Sequence, residues 1–174
     1  MHPKIENKFT EIQQLNEDLF DYLKEEDHEI LQKKPGENTW SIGQVLGHLI
    51  MSEKSSILYC QKKIKAGDQL PETGIRTLWR MFLLERAFNG NRKFKAPSYV
   101  ASPENLTLEA AEEKWKKVRQ QLYEFLERYP DKYLKKAIFK HPFAGRISII
   151  QMMDFFSIHQ RHHRKQMKNI IENH

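Results

Sequence analysis

Apolar residues return at steps of three and four through four separate stretches of this chain, and strand-like alternation is scarce. That spacing restricts the fold more than any other feature, because a 3.6-residue period gathers each set onto one helix face. The first stretch carries Ile5, Phe9, Ile12, Leu15, Leu19, Tyr22 and Leu23, and is expected to run from about residue 5 to 32. Pro35 and Gly36 end it. The second opens at TWSIGQ, where Ser41 can cap and Gln44 completes a capping box. It is expected to reach residue 64, with Ile42, Val45, His48, Leu49 and Ser52 on one face. The third follows the cap Thr107 through Trp115, Val118, Leu122 and Phe125 to about residue 128. Ser148 caps the last, whose stripe is Ile149, Met152, Phe156, His159, His163, Gln166 and Ile170.

Short connections join the first pair and the last pair of helices, while ~40 residues separate the second from the third. The expectation is therefore all-α: a four-helix bundle with a long crossover between helices 2 and 3, not an up-down-up-down meander. The 174 residues are read as one domain, residues 1–174. Within the crossover, residues 66–74 read as a loop, 77–88 as a short helix and 91–105 as irregular. FKHPFAGR, residues 139–146, reads as a connection.

Three of the eight histidines fall within HQRHHRKQM, residues 159–167. His159 and His163 lie on the core-facing stripe of the last helix, and His162 borders it. Arg161, Arg164 and Lys165 point outward, so a basic helix face explains only part of the motif. Imidazoles at i and i+4 have Cβ atoms ~5–6 Å apart, from which both rings can converge on one cation. Two ligands rarely hold a divalent ion, and His48 on the inward stripe of the second helix offers the third. Three buried, unpartnered imidazoles would cost several kcal/mol in desolvation, which a shared metal removes. His162 is an extra imidazole inside the spacing; the four-residue step selects His163, because it keeps both rings on the buried stripe. Gly43 and Gly47 are expected to let another helix come close beside His48.

The arrangement WSIGQVLGHLI early, HPFAG before the last helix and H-x3-H-x2-Q within it resembles the DinB/YfiT-like superfamily. The likeness covers nearly the whole chain. It implies a four-helix bundle with a mononuclear site made by one histidine of the second helix and two of the fourth. By position these are His48, His159 and His163, with Gln166 behind them.

Three imidazoles and an open position suit a catalytic site, since structural zinc is normally closed by four protein ligands. Nitrogen ligands fit Zn²⁺ or Ni²⁺, with Fe²⁺ also open. Neither Glu53 nor Asp154 is well placed as a base for hydrolysis, each about 140° off the ligand stripe, and no HExxH motif is present. The resemblance implies another use: a low-molecular-weight thiol such as bacillithiol, mycothiol or a glutathione-type cofactor, activated at the metal. The expected function is then a metal-dependent enzyme acting on small molecules, a thiol-dependent S-transferase or a hydrolase. Arg146, Arg161, Arg164 and Lys165 are expected at its rim, and Trp79 and Tyr99 as pocket walls. His141 of HPFAG is weighed as a proton donor or fourth ligand against a plain turn residue, and Trp40 as a hydrophobic staple against a substrate contact.

Two other readings compete. The net charge of +6 raises a nucleic-acid binder, which the name of the family it resembles would link to DNA damage, but the basic residues are scattered and no helix-turn-helix spacing or zinc-finger pattern appears. A metal-stabilised bundle that works by pairing, as a homodimer for example, would follow if the crossover exposed apolar surface. Cys60 stands alone, so no disulfide framework or thiolate cluster is expected. The N-terminus lacks an apolar signal core and no run of ~18 apolar residues exists, which makes a cytoplasmic chain that does not span a membrane the expectation.

Overall fold

Three side-chain caps set the frame of the computed structural model, which describes residues 1–90 and 103–173. Ser41 accepts from the Gln44 N–H while Gln44 Oε1 accepts from the Ser41 N–H, and this capping box opens α3 (Ile42–Lys63). Ser148 and Gln151 repeat the box at the start of α6 (Ile149–Glu172). Thr107 accepts from the Ala110 N–H and opens α5 (Leu108–Glu127). Each box satisfies backbone donors that the first helical turn leaves without a partner.

The stretch expected as one helix over residues 5–32 is two. α1 spans Pro3–Lys24 and α2 spans His28–Gln32. The break is local chemistry: the Asp27 carboxylate accepts from the Glu29 N–H at 2.9 Å and starts a new helix, an alternative that periodicity does not register. The turned α2 then places Leu31 in the core and Gln32 Nε2 within 2.7 Å of the Leu106 carbonyl.

Cross-helix pairs give the directions. Phe9 meets Tyr123 and Lys24 meets Glu112, so α1 and α5 run antiparallel. His48 meets His159 and Cys60 meets Met152, so α3 and α6 are antiparallel too. Gly43 lies beside Leu106 while Glu53 bonds Trp115 and Arg119, so α3 and α5 are parallel. The order is up, down, down, up. Parallel neighbours cannot be joined by a tight turn, and the long crossover between α3 and α5 supplies the connection, as expected. It contains a 3₁₀ segment, Ile64–Gln69, and α4, Ile75–Asn89, which packs on α6.

Residues 139–146 are not a plain connection. Phe139–His141 (β1) and Gly145–Ile147 (β2) form an antiparallel hairpin in the register Phe139↔Ile147, Lys140↔Arg146, His141↔Gly145. Strands of three residues are too short for alternation to show in the sequence. Gly145 has φ of 74°, in the left-handed region that only glycine enters without strain.

The core is built on Trp115, Phe156, Ile12, Leu19, Leu46, Leu49, Leu122 and their neighbours. Among the described residues, one ion pair lies inside it. Glu53 Oε1 accepts from Arg119 Nη2 at 2.9 Å and Oε2 from Trp115 Nε1 at 2.9 Å. Burial raises the Glu53 carboxyl above its usual range despite both donors. Cys60 is buried with its thiol 3.4 Å from the Met152 sulfur, and burial pushes its pKa far up, which leaves it an inert core residue. No helix of the described residues is long and apolar enough to cross a membrane.

Candidate metal centre

His48 reaches the bundle interior from α3, and His159 and His163 reach it from α6. The three rings are brought together. Nε2 of His159 stands 3.2 Å from Nε2 of His48 and 3.0 Å from Nε2 of His163. All three residues are 5–7% exposed, and their donor atoms lie within 4.8 Å of one another. Local structure explains the convergence. The Ser41 cap fixes where α3 begins, and its second turn presents position 48 inward, while the i, i+4 step on α6 stacks the other two rings on one face.

The surrounding groups orient the rings and favour the neutral form of His159 and His163. His163 Nδ1 donates to Gln166 Oε1 at 2.7 Å, so the lone pair of its Nε2 faces the other rings. Burial, followed by the charges of His163 and His48, holds His159 well below the usual histidine range. Burial and the neighbouring His48 bring His163 down to about 3, against the opposing hydrogen bond of Gln166. Phe155 stacks on His159 with rings 5.0 Å apart and 18° between planes. Trp40 packs on His48 at 5.0 Å.

This donor set fits a metal ion. Three nitrogens about 2.0–2.1 Å from one tetrahedral zinc stand about 3.3 Å apart, close to the two separations found here. Neutral imidazoles facing one another away from water cannot satisfy all their lone pairs mutually, and a cation at their centre does so.

The other expected residues fall into three groups. His162 leaves the cluster: its Nδ1 donates to the Phe88 carbonyl at 2.8 Å, tying α6 to the end of α4. His141 is a turn residue, its Nδ1 accepting from the N–H groups of Phe143 and Ala144 at 3.2 and 3.0 Å. Its ring lies 4.4 Å from Phe155 and is outside the three-histidine group. Glu53 and Asp154, judged poorly placed as bases, are engaged elsewhere, Glu53 with Arg119 and Asp154 with Lys8 at 2.7 Å.

Several peripheral expectations change. Arg161 bonds Glu11 at 2.9 Å and Arg164 lies over the Tyr22 ring, so both are turned toward α1 and not toward a rim of the histidines. Arg146 and Lys165 are exposed. Trp79 is 62% exposed against Phe82, and Tyr99 lies outside the described residues. Among the described residues, the crossover aromatic that walls the site is Phe88, edge-on to His159 at 5.8 Å and to His162 at 5.0 Å. Its place on the stripe Thr77, Met81, Leu84, Phe88 was the signal available for it. Trp40, read as a staple, also touches a site ring. What passes close beside Gly43 and Gly47 is the 104–106 segment ahead of α5, where a helix was expected. A Cβ at Gly43 would collide with the Leu106 carbonyl, and one at Gly47 would sit 2.5 Å from the Glu104 carbonyl oxygen.

Comparison with known proteins agrees with this architecture. The uncharacterized protein YuaE of Bacillus subtilis (strain 168) is 30% identical over 146 residues, which is 83% of this chain and 85% of the relative. The family model of the DinB superfamily matches residues 9–167, from α1 to the last turns of α6 and across all three histidines. The chain belongs to the DinB superfamily.

Proposed function

We propose that His48, His159 and His163 bind one divalent metal ion through Nε2, and that the chain is a metal-dependent enzyme acting on small molecules. The observation that carries this reading is the meeting of three buried Nε2 atoms from helices far apart in sequence. Zn²⁺ and Ni²⁺ suit the donors best, with Fe²⁺ also compatible. A divalent ion held by three imidazoles supplies Lewis acidity, which depresses the pKa of a water or thiol ligand toward neutrality.

The residues divide the remaining work. Gln166 fixes the His163 tautomer, while Phe155, Trp40 and Phe88 set ring orientation and exclude water. Glu53 and Asp154 are held in ion pairs away from the cluster, which weakens the hydrolase reading that needs a protein carboxylate as base. Delivery of a low-molecular-weight thiolate to an electrophile needs no such base, and thiol S-transfer is therefore the preferred activity.

Elemental analysis of the untagged protein tests the first half. Wild type should carry one metal per chain, His48→Ala, His159→Ala and His163→Ala should lose it, and His162→Ala should keep it. Full occupancy in all three ligand variants would end the reading. A panel of thiols with an electrophilic acceptor then separates transferase from hydrolase.

A further inference from the structure

Each of the four long helices turns a polar side chain toward the core at about the same height. Glu53 of α3 is bonded to Arg119 of α5. Along α1 and α5, Phe9 meets Tyr123 and Lys24 meets Glu112, which sets Asn16, near the middle of that span, within a turn of Arg119. Along α1 and α6, Lys8 meets Asp154 and Tyr22 meets Arg164, which sets the same Asn16 within a turn of Gln160. Asn16 shares the stripe of Ile12, Leu19 and Leu23, and Gln160 that of Phe156, His163 and Met167, so both face inward.

The hydrogen bonds of this layer are incomplete. Arg119 and Gln160 are each 2% exposed. Nη2 of Arg119 serves Glu53, and both Glu53 oxygens are taken, one by Arg119 and the other by Trp115. Nε and Nη1 of Arg119, Nε2 and Oε1 of Gln160 and Oδ1 of Asn16 are buried with no hydrogen-bond partner among the described residues. The guanidinium lies over the Trp115 ring at 5.8 Å, which attracts the charge but offers no oxygen to the N–H groups. An unserved N–H on a charged group is the costlier kind, and such atoms in native cores find a partner.

We propose that ordered water occupies this layer and bridges Nε and Nη1 of Arg119 to Oδ1 of Asn16 and Oε1 of Gln160. The unserved atoms themselves select water. They are donors on α5 and acceptors on α1 and α6, not within bonding distance of one another, and only a ligand that both accepts and donates serves the two kinds at once. An anion would leave the amide oxygens unserved and add a buried charge to a pair that is already neutral; a metal cation would be repelled by the guanidinium. Water carries neither penalty, and a few convergent polar groups are what hold it in a protein interior. The layer is separate from the three histidines, because Gln160 points about 100° away from its neighbour His159 around α6. It does not depend on their holding a metal.

Water is the probe. In the nitrogen-15-labelled full chain, the Nε–H of Arg119 should show a nuclear Overhauser effect to water with the sign of a long-lived contact. A high-resolution crystal structure should show an ordered water about 3 Å from that nitrogen. Asn16→Leu and Gln160→Met each remove one anchor of the shared water while keeping side-chain volume. Each should lower the folding equilibrium constant roughly tenfold, and the double variant should lose clearly less than the product of the two, because both residues act through one partner. No Overhauser effect at Arg119 in the wild type, or single losses that multiply in the double variant, would overturn the proposal. So would a crystal structure in which Arg119 bonds Asn16 or Gln160 directly. The wild-type measurements decide the matter if a variant fails to fold.

Discussion

The Gln166 side-chain oxygen lies 2.7 Å from Nδ1 of His163, one helical turn along α6 from the ring it orients. It fixes which nitrogen carries the proton and so which one faces His159. Gln166→Leu removes the acceptor while leaving the three imidazoles in place. Metal affinity should fall about 10- to 100-fold, as for other residues that hold a ligand from behind. Competition against a chromophoric chelator measures it, and unchanged affinity would show that the hydrogen bond does not matter to binding.

A metal held by His48, His159 and His163, as proposed, would clamp α3 to α6, so its removal should destabilise the fold. At free metal about 1,000-fold above the dissociation constant, the bound ion contributes roughly 4 kcal/mol. For a chain of this length that corresponds to a Tm shift of roughly 10 °C. Calorimetry with and without chelator should show the drop in wild type and none in His159→Ala.

The buried pair of Glu53 and Arg119 makes a different prediction. Glu53→Ala leaves a guanidinium without its counter-charge in the core and should cost about 3–5 kcal/mol. Glu53→Leu combined with Arg119→Met should recover much of that loss. Metal content of the folded variants should match wild type. If Glu53→Ala instead spares stability and removes the metal, Glu53 belongs to the site after all.

His141 predicts the pH dependence. Its Nδ1 accepts two backbone hydrogen bonds that a proton would break, and burial brings its pKa down to about 4. The unfolded chain takes up that proton near pH 6.5, and the folded chain only near 4. The folded state therefore binds fewer protons between these values, so stability must fall as pH is lowered through the window. The contribution is roughly 3 kcal/mol in full. His141→Asn keeps an acceptor for the turn without titrating. Denaturant melts at pH 7 and 4.5 should show a smaller loss in the variant than in wild type.

Much of the site was legible because its geometry is local. A 3.6-residue period places His159 and His163 on one stripe whatever surrounds them, and the Ser41 and Ser148 boxes depend only on residues three apart. The break at Asp27 and the hairpin at 139–147 escaped for the opposite reason. One capping carboxylate outweighs the periodicity on either side of it, and three-residue strands leave no period to detect. The arginine expectations erred because outward on a helix does not say toward what: Arg161 and Arg164 find α1.

The sequence alone determined the four long amphipathic helices, the unequal connection that makes two of them parallel, and the histidines that face inward. Those follow from backbone periodicity and capping, which act over a few residues. Only the tertiary structure decided that His48 meets His159 across 111 positions of chain, that His162 turns to Phe88, and that Phe88 walls the site while Trp79 does not. These depend on how helices are rotated and stacked against one another, a packing property of the whole bundle that no short stretch of residues encodes.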